Sequence, residues 1–328
     1  MTAGQGPTRS ASPRQLDPEG LELARAWLNN VRNRGIYERP RFVSLRAGLT
    51  PADQAATLAF VLDGRFEALA GEDLEPVTRL LEPDLHAPPA RILDAGCGPG
   101  ATTLALAARH SPAEVVGVDV EGPAIDLARH LARDHPECSF RLGALEDLAD
   151  PQGFDLIHCR EVLEHVHDPR RSLHNLLSLL RPGGIAYVET PNYRYPWEPH
   201  VRLPILPHSP KWLLVAECRL AGRDPGFVDH LNLECSRARL LRWARESGQP
   251  VRVVDLMARK VDSILAGEPG VEPVVPRRRR AVGLIRRFGL VRPARRVLID
   301  LGAAPSVMLL FAKVAQPRPA ALEATSSE

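Results

Sequence analysis

Lysine is almost missing from this chain of 328 residues. It occurs only at 211, 260 and 313, so nearly all of the 42 basic side chains are arginines. Together with 31 prolines, this bias reads as genome composition rather than function. Excess charge is missing too: a net +2 gives no global drive toward nucleic acid or an acidic membrane. The five cysteines, at 97, 138, 159, 218 and 235, are odd in number and form no C-x-x-C pair. That excludes a disulfide framework and a thiolate zinc site, and it predicts a reducing, cytoplasmic compartment. No apolar run approaches the ~20 residues needed to span a bilayer. Residues 1–19 are rich in Pro, Ser and Gly without an apolar h-region, and read as a disordered tail rather than a signal peptide.

What is present is the composition of an ordinary soluble protein, 44% hydrophobic and 25% charged. Residues 20–87 read as a helical extension with pieces at 21–31, 51–69 and 73–81; Thr50 is placed to cap the second, with Pro51 at its first position. Over 88–192, short apolar strands at 92–94, 115–119, 140–142, 154–159 and 185–189 alternate with helical segments. Such alternation predicts an α/β fold: a doubly wound, Rossmann-like, mostly parallel sheet with helices on both faces. Residues 193–250 read as a lid and acceptor-binding region. Residues 251–315 read as two last strands, 251–257 and 307–314, around a basic insertion, and 316–328 as a second tail.

The densest signal is Asp94-Ala95-Gly96-Cys97-Gly98-Pro99-Gly100, between the first strand and the helical segment that follows. Glycines there let a ligand approach the backbone, facing the next helix's N-terminus. Gly96-x-Gly98-x-x-Ala101 also meets the relaxed dinucleotide pattern, so glycines alone leave the ligand open. Asp94 discriminates: a carboxylate beside the turn repels a pyrophosphate and suits a ligand with a cationic amino group and no phosphate, such as S-adenosylmethionine. Asp119, ending the run 115–118, can take two ribose hydroxyls with either ligand.

Five segments occur in order: the glycine turn, Gly117-Val118-Asp119, Phe154-Asp155-Leu156-Ile157, Glu161-Val162-Leu163-Glu164-His165-Val166 and Leu180-Arg181-Pro182-Gly183-Gly184. Together they resemble the class I S-adenosylmethionine-dependent methyltransferases, nearest the branch of the ubiquinone-biosynthesis O-methyltransferases. The resemblance covers 88–192 well, 193–250 loosely and the ends hardly at all. It implies that Gly96, Gly98 and Asp94 meet the cofactor's amino-acid part and Asp119 its ribose. The adenine falls to the loop at 143–147, where many relatives carry Asp and this chain has Ala144; backbone groups of Ala144 and Leu145 then substitute. Arg160 matches a cofactor-contacting position usually held by an apolar residue. Glu161, Glu164 and His165 match a magnesium-binding Glu-x-x-Glu-His, and stand at i, i+3 and i+4, on one face if the segment is helical. The other reading of that segment is a wall of the site, with His165 itself the base.

After 192 the chain turns aromatic and proline-rich; Tyr193, Tyr195, Trp197 and Trp212 are half of its Tyr and Trp residues. A lid there would supply the acceptor pocket, with His200 and His230 as alternative bases. His158, His167, His174 and His208 have weaker claims. Asp168 reads as a helix cap, Pro182–Gly184 as a turn, and Ser236 as the cap of a helix ending near Gly248. In the insertion, Arg277–Arg280, Arg286, Arg287, Arg292, Arg295 and Arg296 interleave with Leu284, Ile285, Phe288 and Leu298. That pattern suits either peripheral membrane contact over 277–296 or a solvated face over the sheet edge. The reading is an S-adenosylmethionine-dependent methyltransferase acting on a small molecule, at oxygen, with no nucleic-acid partner. Its rivals are a cofactor-binding protein without catalysis and an NAD-dependent oxidoreductase.

Overall fold

The computed structural model describes residues 17–28, 65–198, 203–206, 209–222, 225–226, 228–268 and 276–314. Seven strands form one sheet: β1 (Arg91–Ala95), β2 (Glu114–Asp119), β3 (Cys138–Leu142), β4 (Phe154–Arg160), β5 (Leu180–Pro191), β6 (Val251–Asp255) and β7 (Ser306–Lys313). Their order is β3-β2-β1-β4-β5-β7-β6. The first five are parallel, while β7 runs antiparallel to both β5 and β6. Chain order reverses between β1 and β4, so the crevice at their carboxyl ends is the switch point where such sheets bind ligands.

The helices are α1 (Pro18–Leu28), α2 (Arg65–Leu81), α3 (Ala101–Arg109), α4 (Gly122–Leu131), α5 (Pro169–Ser178), α6 (Lys211–Leu220), α7 (Arg237–Glu246), α8 (Leu256–Ala266), α9 (Pro276–Arg287) and α10 (Val291–Arg295). On one face, α5 and α7 bury Leu173, Leu176, Leu177, Leu240 and Trp243 against Leu93, Ile157 and Val188. On the other, α2, α3 and α8 bury Leu74, Val77, Leu106 and Val261 against Ile92, Leu156 and Leu310. The N-terminal α1 packs Ala24 and Trp27 on α4. Burying such a Leu or Val side chain contributes about 1.5–3 kcal/mol.

Several boundaries differ from the sequence reading. The described part of 51–69 and the piece 73–81 are one helix, α2, which runs through Gly71 and Pro76. Proline removes the bond to the carbonyl four residues back; here that is Glu72, which is exposed to water. Strand β6 stops at Asp255 rather than 257 because the Asp255 carboxylate accepts from Ala258 N (2.9 Å) and starts α8. Pro182–Gly184 is not a turn outside the sheet: it lies within β5, beside a register shift opposite Phe154 and Leu156. Asp168 caps α5 through Arg171 N, whereas Ser236 makes no side-chain cap on α7. Both tails, apart from 17–19, and residues 29–64 lie outside the described residues.

Two buried charge groups tie the layers together. Asp84, after α2, receives Arg252 from β6 and Arg259 from α8, each at 2.8 Å. Arg91 opens β1 with Asp150 at 2.7 Å and Glu114 at 3.0 Å, its guanidinium over the Phe154 ring. A polar row also crosses the sheet: Asp94, His158 and Tyr187 pair at one level on β1, β4 and β5. Asp94 Oδ1 lies 3.3 Å from His158 Nδ1, and Asp94 Oδ2 accepts from the Thr103 hydroxyl of α3 (2.7 Å). Tyr187 donates to Glu189 at 2.5 Å.

Candidate active site

The glycine turn leaves β1 with Gly96, Gly98 and Gly100 all at positive φ. At Gly96 (φ 73°) glycine is required twice over. The backbone is left-handed, and a Cβ would run into the Val162 side chain from the loop after β4. That contact seats the turn directly against the 161–165 segment. The turn is also stitched to β2: Gly96 N and Cys97 N both donate to Val118 O, at 2.8 and 3.0 Å.

Asp119 completes this edge. Its two carboxylate oxygens accept from Gly98 N (2.8 Å) and Glu121 N (3.0 Å). Each oxygen keeps a second lone pair, enough for one hydroxyl of a vicinal diol. Burial pushes its pKa above the usual Asp value and outweighs the opposing backbone N–H groups. Asp94 lies differently from its expected place at a ligand's amino group. It is 2% exposed beneath the turn, with both oxygens engaged by Thr103 and His158, and it braces the strand from which the turn springs.

Gly143 N donates to Asp119 O (2.9 Å), which brings the loop after β3 to the same edge. Ala144 and Leu145 lie there, but the Leu145 carbonyl already accepts from Asn175 Nδ2 (2.7 Å) and the Ala144 carbonyl from Asp147 N (3.3 Å). Arg160, at the end of β4, places Nε 3.2 Å from the Glu189 carboxylate.

The segment after β4 is not helical. Glu161 has φ 56°, and residues 163–165 form a turn, so the i, i+3, i+4 premise fails. Glu164 is wholly buried, and the His165 ring Nε2 stands 3.9 Å from its carboxylate. Burial first, then repulsion from Glu161, holds the Glu164 pKa well above the ordinary Glu value. A wholly buried carboxyl is poorly placed for a hard cation, which keeps several waters in an open octahedral shell. Among the described residues no three His, Cys, Asp or Glu side chains are grouped to hold a metal ion. The magnesium set Glu161, Glu164 and His165 therefore does not fit this geometry.

Instead, the loop is sealed from the lid side. Asn232 N donates to Glu164 O (2.7 Å) and Asn232 Nδ2 to Val166 O (2.5 Å). Behind it the Tyr193 hydroxyl is buried without a hydrogen-bond partner, and the Thr190 hydroxyl and the Glu164 carboxyl are buried next to each other. Glu198, also fully buried, and Glu164 both raise the Tyr193 pKa, after burial itself. Thr190 and Glu198 escaped the sequence reading. The one available signal was a glutamate set between Trp197 and Pro199 in an aromatic, proline-rich stretch. Of the other candidates, His230 is exposed on a short turn, His167 is exposed, and His158 is locked against Asp94. His200 and His208 lie outside the described residues.

The family is shown by a match over more than half of the chain. The methyltransferase-domain family matches residues 65–252. The chain is 38% identical over 108 residues to a ubiquinone biosynthesis O-methyltransferase of Xanthomonas campestris pv. campestris (strain B100), a match covering 32% of this chain and 44% of that one. It is 40% identical over 106 residues to the enzyme of the same name from Coxiella burnetii (strain Dugway 5J108-111), with the same coverage. The matched stretch thus spans less than half the length of these relatives. Among solved structures, the YcgJ protein of Bacillus subtilis is 19% identical at a TM-score of 0.44, covering 74% of this chain and 99% of that one.

Proposed function

The chain belongs to the methyltransferase-domain family, within the class I S-adenosylmethionine-dependent superfamily, and from that premise we propose that it methylates an oxygen of a small-molecule acceptor. One observation carries the reading. The glycine turn and Asp119 sit against a loop behind which Glu164, Thr190 and Tyr193 gather buried polar groups, the Tyr193 hydroxyl without a hydrogen-bond partner. An unmet buried polar group costs about 1–3 kcal/mol, so such a cluster suits a hydrogen-bonding occupant. A hydroxyl-bearing acceptor provides that occupant. The likeness to O-methyltransferases over a third of the chain favours oxygen as its nucleophile.

S-adenosylmethionine supplies the methyl group. The chain's own residues then have three tasks: to hold the acceptor in line, to exclude water and to take a proton. Alignment of the reacting atoms can supply much of the acceleration. Here it falls to Asp119 and the glycine turn on one side and to Thr190 and Tyr193 on the other. Val162 and Leu163 wall off the crevice. His165, partly exposed beside Glu164, is the group placed to accept the acceptor's proton. No step is assigned to a metal.

The test is methyl transfer from labelled S-adenosylmethionine to a panel of phenols, alcohols and amines, alongside calorimetry with S-adenosylhomocysteine and with NAD. Label appearing in hydroxyl acceptors supports the reading. Binding of S-adenosylhomocysteine without turnover on any acceptor would favour a non-catalytic role, and binding of NAD alone would overturn the cofactor assignment.

A further inference from the structure

The arginine-rich insertion folds into a helical hairpin with two chemically distinct sides. Its inward side is apolar: Ile285, Val291, Ala294, Leu298 and Ile299 pack on the sheet face beside α8. Its outward side should then be polar, yet it exposes Leu284, Phe288, Leu290, Val297 and Leu301, with Phe288 at 67% and Leu301 at 62%. Single exposed apolar side chains are normal, but five within 18 residues of one hairpin are a patch.

Around the patch lie exposed Arg279, Arg280, Arg286, Arg287, Arg292 and Arg296. Residues 276–301 contain nine arginines and a single acid, Asp300, a net +8 against +2 for the whole chain. The rest of the molecule is therefore net acidic. Arg295 takes Asp300, the one acid of the segment, at 3.7 Å together with Asp262 at 2.6 Å.

We infer that this hairpin is a docking surface for an anionic lipid bilayer. A bilayer interface is the one partner that rewards both features at once: acyl boundary for Leu, Phe and Val, and anionic headgroups for interleaved arginines. A nucleic acid would take the arginines and leave four aliphatic side chains in water. A second copy would bring a second +8 hairpin against the first.

The surface is wired to the acceptor side of the site. Residues 302–305 follow the hairpin directly, and Asn192 grips them. Its Nδ2 donates to Gly302 O (2.9 Å) and Ala304 O (2.7 Å), and its N to Pro305 O (3.0 Å). The next residue is Tyr193, buried close to Glu164 and Glu198. Docking would thus occur next to the end of β5 and the start of β7, from which the acceptor loop departs.

The test is cosedimentation of the full chain with vesicles of phosphatidylcholine, with and without phosphatidylglycerol, across a salt series. Binding is expected only with phosphatidylglycerol, and should fall steeply with salt as screening shortens from about 10 Å at 0.1 M to about 3 Å at 1 M. Arg287→Ser with Arg292→Ser should lower partitioning roughly 30-fold, at about fivefold per arginine. Leu284→Ser with Phe288→Ser should lower it as well and leave the residual binding salt-sensitive. S-adenosylhomocysteine affinity serves as the folding control and should not change in either variant. Equal binding to both vesicle types, or none, overturns the inference. So does retention of an RNA oligonucleotide that the apolar pair does not affect, or self-association that Phe288→Ser abolishes. None of these readouts depends on turnover, so the proposed chemistry stands or falls separately.

Discussion

Asp119→Asn gives the most direct perturbation of the cofactor edge. Aspartate offers two acceptor oxygens, one for Gly98 N and one for Glu121 N, and each has a lone pair left for a ribose hydroxyl. Asparagine keeps the shape but turns one acceptor into a donor, which then faces a backbone N–H. Hydrogen bonds to a charged group contribute about 1.5–3 kcal/mol each. Losing one toward the ligand should weaken S-adenosylhomocysteine binding roughly 10- to 100-fold. The variant should also melt earlier, because one backbone N–H in the turn loses its acceptor in the free protein. Titration calorimetry at several pH values separates the effects. Burial holds the Asp119 pKa above the usual value, and the ionised form is the one that accepts from two N–H groups and two hydroxyls. Wild-type affinity should therefore be full near neutrality and fall as pH drops through that raised pKa, starting higher than for an ordinary Asp. The Asn variant should show no such dependence. An Asn variant within threefold of wild type, or one with the same pH profile, would refute the assignment of Asp119 to the ligand.

Gly96→Ala should abolish cofactor binding and destabilise the fold, and adding Val162→Ala should restore only part of the loss. The second change relieves the clash, but about 1–2 kcal/mol of left-handed backbone strain stays, as denaturant melts of the single and double variants would show. His165→Gln should lower turnover at least tenfold with an unchanged S-adenosylhomocysteine affinity, measured by single-turnover transfer and calorimetry. Asp150→Ala leaves the buried Arg91 guanidinium with half-exposed Glu114 as its remaining acid and should cost about 1.5–3 kcal/mol. Burial pushes the Asp150 pKa up, but Arg91 brings it net below the model-peptide range. Its stabilising contribution is therefore complete above the unfolded pKa near 4 and disappears as pH falls through the lower folded value. The variant's melting temperature should be less sensitive to acid than that of the wild type.

The glycine turn, its strand and Asp119 were legible in the sequence because each reports a local requirement: φ above zero, a short apolar run, an acid closing it. The Glu161–His165 segment was misread for the opposite reason. The spacing i, i+3, i+4 has meaning only on a helix, and Glu161 in the left-handed region prevents one. The sequence reading placed a break at 70–72, but burial of Leu74, Val77, Leu80 and Leu81 holds α2 as one helix through that point, despite the backbone bond lost at Pro76. The antiparallel pairing of β7 between β5 and β6 spans at least fifty residues of intervening chain on either side, and no local pattern encodes it. Thr190 and Glu198 became site candidates only when tertiary packing put them out of reach of water.

The polar row of Asp94, His158 and Tyr187 has a bearing on how the sheet finds its alignment. Parallel neighbours are joined by long crossovers, so no tight turn dictates which residue faces which. Apolar strands buried on both faces would tolerate sliding past one another, since valine beside leucine differs little from valine beside isoleucine. A slip by one residue turns the alternate side chains to the other face. It would leave the Asp94 carboxylate among leucines and strip the imidazole of its one acceptor. The row therefore works as an index mark: three central strands can seat in a single offset, and the glycine turn emerges level with the loop that closes on it. Such marks change hands only together. Exchanging Asp94 alone for a hydrophobic residue should broaden the ensemble of strand offsets before it reduces the amount of sheet, which amide exchange at β1 and β4 would detect as lost protection with unchanged circular dichroism.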